Sequence, residues 1–166
     1  MKRLFCGLVA VAAFGCSKAA PPAGKVVAAE QVCNEADGSR VRVSGYLRYR
    51  RGLMSFCSSY GGKKTCDLAL YATAAAPPDF DLLHPAKGPE PVNVRLSVPV
   101  GTEPGEMVEL PKKFAAADVR LHLPNDGAAT ESSRVTIDGK LSVIPADGSQ
   151  PNAPKSCFVA VEWAAP

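Results

Sequence analysis

Apolar and polar positions alternate with a period of two over most of the chain, the pattern of strands with one buried face. In "VNVRLSV", Val92, Val94, Leu96 and Val98 fall on one face, and Asn93, Arg95 and Ser97 on the other. "RVTIDGKLSV" places Val135, Ile137, Leu141 and Val143 in register around Gly139. "VRLHL" sets Val119, Leu121 and Leu123 against Arg120 and His122, "FVAVEW" aligns Val159, Val161 and Trp163, and "CDLALY" aligns Cys66, Leu68 and Leu70. Turn-forming pairs separate these runs at Asp37-Gly38, Gly61-Gly62, Asn125-Asp126-Gly127 and Asp147-Gly148. Eight of the 15 prolines fall within 77–111 and limit any long helix there. A short helix is expected over Val26 to Asn34, and a further turn near Lys113 to Ala117. The fold class is therefore all-β.

Two runs echo each other. "VRVSGYL" from Val41 and "VTIDGKL" from Val135 share a V-x-[VI]-x-G-x-L frame. Glycine inside an otherwise good strand marks a bulge or a sharp bend, and small closed barrels require such bends. The stretch "DGSRVRVSGYLRYRRG" resembles the first strand of OB-fold domains in bacterial envelope proteins, through Asp37-Gly38, Val41, Val43, Gly45 and Leu47. The resemblance implies a small OB-like barrel, with the long proline-rich segment between Ala72 and Ala129 supplying extra strands or loops. Short strands at regular spacing also allow an immunoglobulin-like sandwich.

The chain opens Met1-Lys2-Arg3 and then runs uncharged from Leu4 to Gly15. A basic start and an apolar stretch of this length predict an export signal, too short for a permanent membrane span. Ala13-Phe14-Gly15-Cys16 resembles the lipobox of bacterial lipoproteins. The resemblance implies acylation of the Cys16 sulfur, cleavage before it, a membrane anchor and, with Ser17 next, outer-membrane sorting. It departs from the commonest pattern at Ala13, where leucine is usual. The expected organisation is a signal peptide over 1–15, a lipidated cysteine and flexible tether over 16–25, and one β-rich domain over 26–166.

Charge adds little. The chain carries 19 basic and 16 acidic residues. Lys2 and Arg3 leave with the signal, so the mature balance is 17 against 16, which gives no reason to expect a nucleic-acid partner. Six cysteines are present. With Cys6 in the signal and Cys16 acylated, Cys33, Cys57, Cys66 and Cys157 remain, an even number in an exported domain and thus a disulfide framework. "CSSYGGKKTC" reads as two strand ends joined by a Gly-Gly turn, which predicts Cys57–Cys66 and leaves Cys33 to pair with Cys157. Zinc sites space their ligands in close pairs; none occurs here, and no metal or other cofactor is expected.

Candidate chemistry is sparse. There is no G-x-S-x-G elbow and no phosphate-binding or dinucleotide glycine motif. His84 precedes a proline and His122 sits on the polar side of its run. Asp79, Asp81, Glu103, Glu106 and Glu109 read as solvated carboxylates. No enzymatic activity is expected; the expected role is non-catalytic binding or assembly at the envelope. One constellation suggests a ligand face: Tyr46, Arg48 and Arg50 on one side of a strand, with Tyr49 and Arg51 on the other, and Lys63 and Lys64 shortly after. Interleaved aromatics and cations suit an anionic glycan or small ligand on an OB-type surface, and an envelope protein is the other expected partner.

Overall fold

The computed structural model describes residues 20–49, 57–60, 62–74, 93–144 and 156–166. Cys16, Arg50, Arg51, Asp79, Asp81 and His84, named above, lie outside the described residues. Nine strands follow in chain order: β1 (Lys25–Val26), β2 (Arg40–Tyr49), β3 (Cys57–Tyr60), β4 (Lys63–Tyr71), β5 (Asn93–Pro99), β6 (Leu121–His122), β7 (Ala128–Ala129), β8 (Arg134–Ile144) and β9 (Ser156–Ala165).

Five of them close a barrel. β2 pairs antiparallel with β8 along its first seven residues and with β4 from Tyr46 onward. β4 pairs antiparallel with β5, β5 parallel with β9, and β9 antiparallel with β8. Numbering only the barrel strands in chain order, the circuit runs first, second, third, fifth, fourth and back to first. This is an OB-like barrel, not a two-sheet sandwich. The expected alternation supplies its filling: Val41, Val43, Leu47, Cys66, Leu68, Leu70, Val94, Leu96, Val98, Val135, Ile137, Leu141 and Val159 are all buried.

Closure turns on the two echoed glycines. β2 exchanges neighbours at Gly45, which lies opposite Val135 of β8 just before Tyr46 meets Tyr71 of β4. A Cβ at Gly45 would stand 2.8 Å from the Tyr71 carbonyl oxygen, so glycine lets the two backbones meet there. Gly139 sits at a register shift between β8 and β9. Asp138 faces Trp163 and Gly139 faces Val161, leaving Glu162 as the extra residue of a bulge. The bulge changes which side chains point inward. Trp163, expected on the apolar face with Val159 and Val161, is only half-buried, and Ala164 takes the core position opposite Ile137. Glu162 pairs with Arg40 at 2.5 Å.

Two further segments differ from expectation. The helix expected from Val26 is a strand followed by a six-residue 3-10 helix, Ala29–Asn34. β1 lies parallel to the start of β2, with Lys25 opposite Val41, and Val27 N–H donates to the Arg42 carbonyl at 3.0 Å. Only Val32 of the 3-10 helix is fully buried, too narrow an apolar face to favour a longer amphipathic helix. The long connection from β5 to β8 is filled by buried Met107, Val119, Leu121 and Ala129, by a 3-10 turn at Ala116–Asp118, and by the β6–β7 hairpin. That hairpin turns at Asn125 and Asp126, both left-handed (φ 59 and 58), at the predicted Asn-Asp-Gly site.

All four domain cysteines are paired as expected. Cys57 and Cys66 lie directly opposite each other on β3 and β4 and are bonded. Cys33, beside Val32, is bonded to Cys157 at the start of β9 across a sequence separation of 124.

Candidate functional site

The outer surface of the barrel wall can be read from the strand registers. Inward residues of β2 have odd numbers, so Arg42, Ser44, Tyr46 and Arg48 face outward. Tyr46 stands opposite Tyr71 of β4 on one side and Arg134 of β8 on the other. One step along, Arg48 is opposite Ala69 of β4, which is opposite Arg95 of β5, which in turn faces Phe158 of β9. The first row thus sets an arginine and two tyrosines across three strands, and the second crosses four strands with Ala69 between its two arginines.

Among the described residues, the structure does not bring Tyr46 and Arg48 together with Lys63 and Lys64 as one site. Tyr46 is half-buried on the outer wall. Arg48 is 6% exposed and engaged at both ends: one terminal nitrogen donates to the Ser132 hydroxyl and the other to the Ala74 carbonyl at 2.5 Å. Ala74 follows β4 and Ser132 precedes β8, so the guanidinium ties two connections to the wall; Ala69, opposite Arg48, is fully buried despite its outward position. Lys63 is exposed at the far end of β4. Lys64 beside it forms an ion pair with Glu109 at 2.7 Å. Seven residues of extended strand separate Lys64 from Tyr71, about 23 Å at the usual rise per residue, so neither lysine shares the Tyr46 row.

Tyr71, Arg95 and Arg134 were not singled out in the sequence. Each stands at the polar beat of a recognisable strand, but their grouping around Tyr46 and Arg48 depends on registers between distant strands. Tyr49, on the other side of β2, packs edge-on against Phe114 with ring centroids 5.9 Å apart.

Farther along β2, Arg42 donates through Nε (2.9 Å) and a terminal nitrogen (2.5 Å) to Asp138, a buried carboxylate. Asp138 also accepts from the Gly24 N–H at 2.8 Å, docking the entry to β1. Hydrogen bonding to Asp138, and then its charge, raises the pKa of the Arg42 guanidinium above its usual value. Ser44 and Thr136 share a hydroxyl hydrogen bond at 2.9 Å between these groups and the Tyr46 row.

The remaining polar residues serve local structure. Glu106 accepts from the Glu103 N–H at 3.0 Å, bracing the turn after β5, and His122 lies in β6 with its N–H donating to the Glu106 carbonyl at 2.8 Å. Among the described residues, no cluster of three or more histidine, cysteine or acidic side chains could hold a metal ion. No helix among them is long and apolar enough to cross a membrane. Comparison of the chain with protein-family models, curated proteins and solved structures finds no match.

Proposed function

We propose that the protein is a lipid-anchored bacterial envelope protein whose OB-like barrel has a non-catalytic binding or assembly role. The observation that carries this reading is the pairing of all four domain cysteines, a chemistry of exported proteins and rare in the cytosol. The lipobox-like Ala13-Phe14-Gly15-Cys16 supports an anchor at Cys16, and Ser17 supports the outer membrane as its site. One acyl chain binds a membrane only marginally, whereas several, each contributing about 0.8 kcal/mol per buried methylene, hold a protein there stably. The barrel would then act close to the membrane surface on an envelope protein or glycan.

Cells fed labelled palmitate should incorporate label into the wild-type chain. The Cys16→Ser variant should carry none and should move from the membrane to the soluble fraction. An unlabelled wild type, or a Cys16→Ser variant that fractionates as before, would reject the anchor.

A second reading, an anionic-glycan site on the barrel wall, is favoured by the adjacency of Arg134, Tyr46 and Tyr71. Arg48 supports that surface from within, and Arg134, which is exposed, offers the charge. Under this reading Arg134→Ala abolishes retention on immobilised anionic envelope glycan and leaves the melting temperature unchanged. Undiminished retention removes it.

A further inference from the structure

The two disulfides hold very different structures. β3 has four residues and, among the described strands, a single neighbour, β4; it ends the sheet, and its middle residues Ser58 and Ser59 are exposed. Peeling it away breaks one short ladder at the sheet edge. Cys33, by contrast, belongs to a 3-10 helix packed against β2, β5 and β9, with neighbouring Val32 fully buried. Cys33 is itself half-buried, as Cys57 is, but an opening at Cys33–Cys157 must release a helix held by three strands instead of one. Local openings that release little buried surface are the ones most populated in a native protein.

We infer that Cys57–Cys66 is a reducible clasp and that Cys57 is the sulfur a protein dithiol attacks. Cys57 is half-buried on the edge strand, whereas Cys66 points into the core and is 1% exposed. A thiolate of the reductant attacks Cys57 Sγ. The Cys57–Cys66 bond breaks, a mixed disulfide forms at Cys57, and Cys66 leaves as a thiolate that takes a proton from water. The reductant's second thiolate then attacks its own partner sulfur in the mixed disulfide, closing the reductant's disulfide and releasing Cys57. Two electrons pass from the dithiol to the pair. The reduced barrel stays packed, because a free cysteine at position 66 behaves as a small apolar side chain beside Leu68 and Leu70. What changes is the edge. β3 is freed from its covalent link to β4. Reduction would thus loosen the sheet edge without unfolding the body. The inference is independent of the lipid anchor.

The test uses the oxidised full chain and dithiothreitol as the probe. Samples taken at intervals are acid-quenched, alkylated in denaturant and mapped by peptide mass spectrometry. Cys57 and Cys66 should become alkylated at least about tenfold faster than Cys33 and Cys157. In the singly reduced species, amides of residues 58–64 should lose about tenfold or more of their exchange protection while those of Val135 to Leu141 keep theirs. Reduction of Cys33–Cys157 first, or of both bonds in step, overturns the inference. Unchanged protection over 58–64 after reduction overturns it equally.

Discussion

Replacing Cys33 and Cys157 together by alanine should lower the unfolding free energy by about 5 kcal/mol, whereas the same change at Cys57 and Cys66 should lower it by about 2.5 kcal/mol. The two bonds close loops of very different length. Cys33–Cys157 spans 124 residues of separation and Cys57–Cys66 spans 9. In the chain-entropy description a cross-link stabilises by restricting the unfolded ensemble, and the effect rises with the logarithm of the loop it closes. The longer bond joins the two ends of the domain, so it restricts almost the whole chain. It also pins the helix carrying Val32 onto the barrel strands, and both effects are lost together in the variant. Single domains are stable by roughly 5–15 kcal/mol in total, so losing this bond removes a large share. Urea titrations of the two double variants and the wild type, all under oxidising conditions, give the comparison directly. Equal losses, or a larger loss at Cys57 and Cys66, would contradict the loop-length account.

Those pairings could be anticipated from sequence because they rest on local cues: a Gly-Gly turn between Cys57 and Cys66, and a count of four cysteines that left one further pair. The strands were legible for the same reason. Alternation at Val94, Leu96 and Val98, or at Val135 and Ile137, is a property of each strand alone. Where a feature depends on two strands at once, the sequence was silent. Along the chain the side chains of "FVAVEW" alternate without interruption, but a bulge where β9 pairs with β8 moves the core position from Trp163 to Ala164. Alternation does not mark β1, because nothing in Lys25-Val26 announces that β2 has a free edge to receive it. The candidate site shows the limit most clearly. Proximity in sequence suggested grouping Tyr46 and Arg48 with Lys63 and Lys64, yet β4 runs back antiparallel, so its far end, at Tyr71, meets Tyr46. Arg48 has the composition of a ligand contact, and its role in joining Ala74 to Ser132 follows only from the approach of two long connections.

The V-x-[VI]-x-G-x-L echo is the local signal that does reach the tertiary level, and it carries the second large prediction. Gly139→Ala should destabilise the barrel by about 3 kcal/mol or more, near the upper end of overpacking effects. The added Cβ would lie 2.3 Å from the Ala160 carbonyl oxygen and 2.6 Å from a Val159 methyl. The carbonyl belongs to the backbone of the facing strand, where Lys140 pairs with Ala160. Relief therefore demands that β8 and β9 separate, and β9 is the strand that carries closure onward to β5. The equivalent change at Gly45 meets the Tyr71 carbonyl at 2.8 Å and the Leu70 Cβ at 3.2 Å, a milder overlap at the other seam. Gly45→Ala should accordingly cost about 1–2 kcal/mol. Urea melts of the two variants, with amide exchange over β8 and β9, would check both the magnitude and the place of the damage. A Gly139→Ala protein as stable as wild type, or one less damaged than Gly45→Ala, would mean that β8 and β9 do not cross this closely and that the bulge at Glu162 is not what closes the barrel.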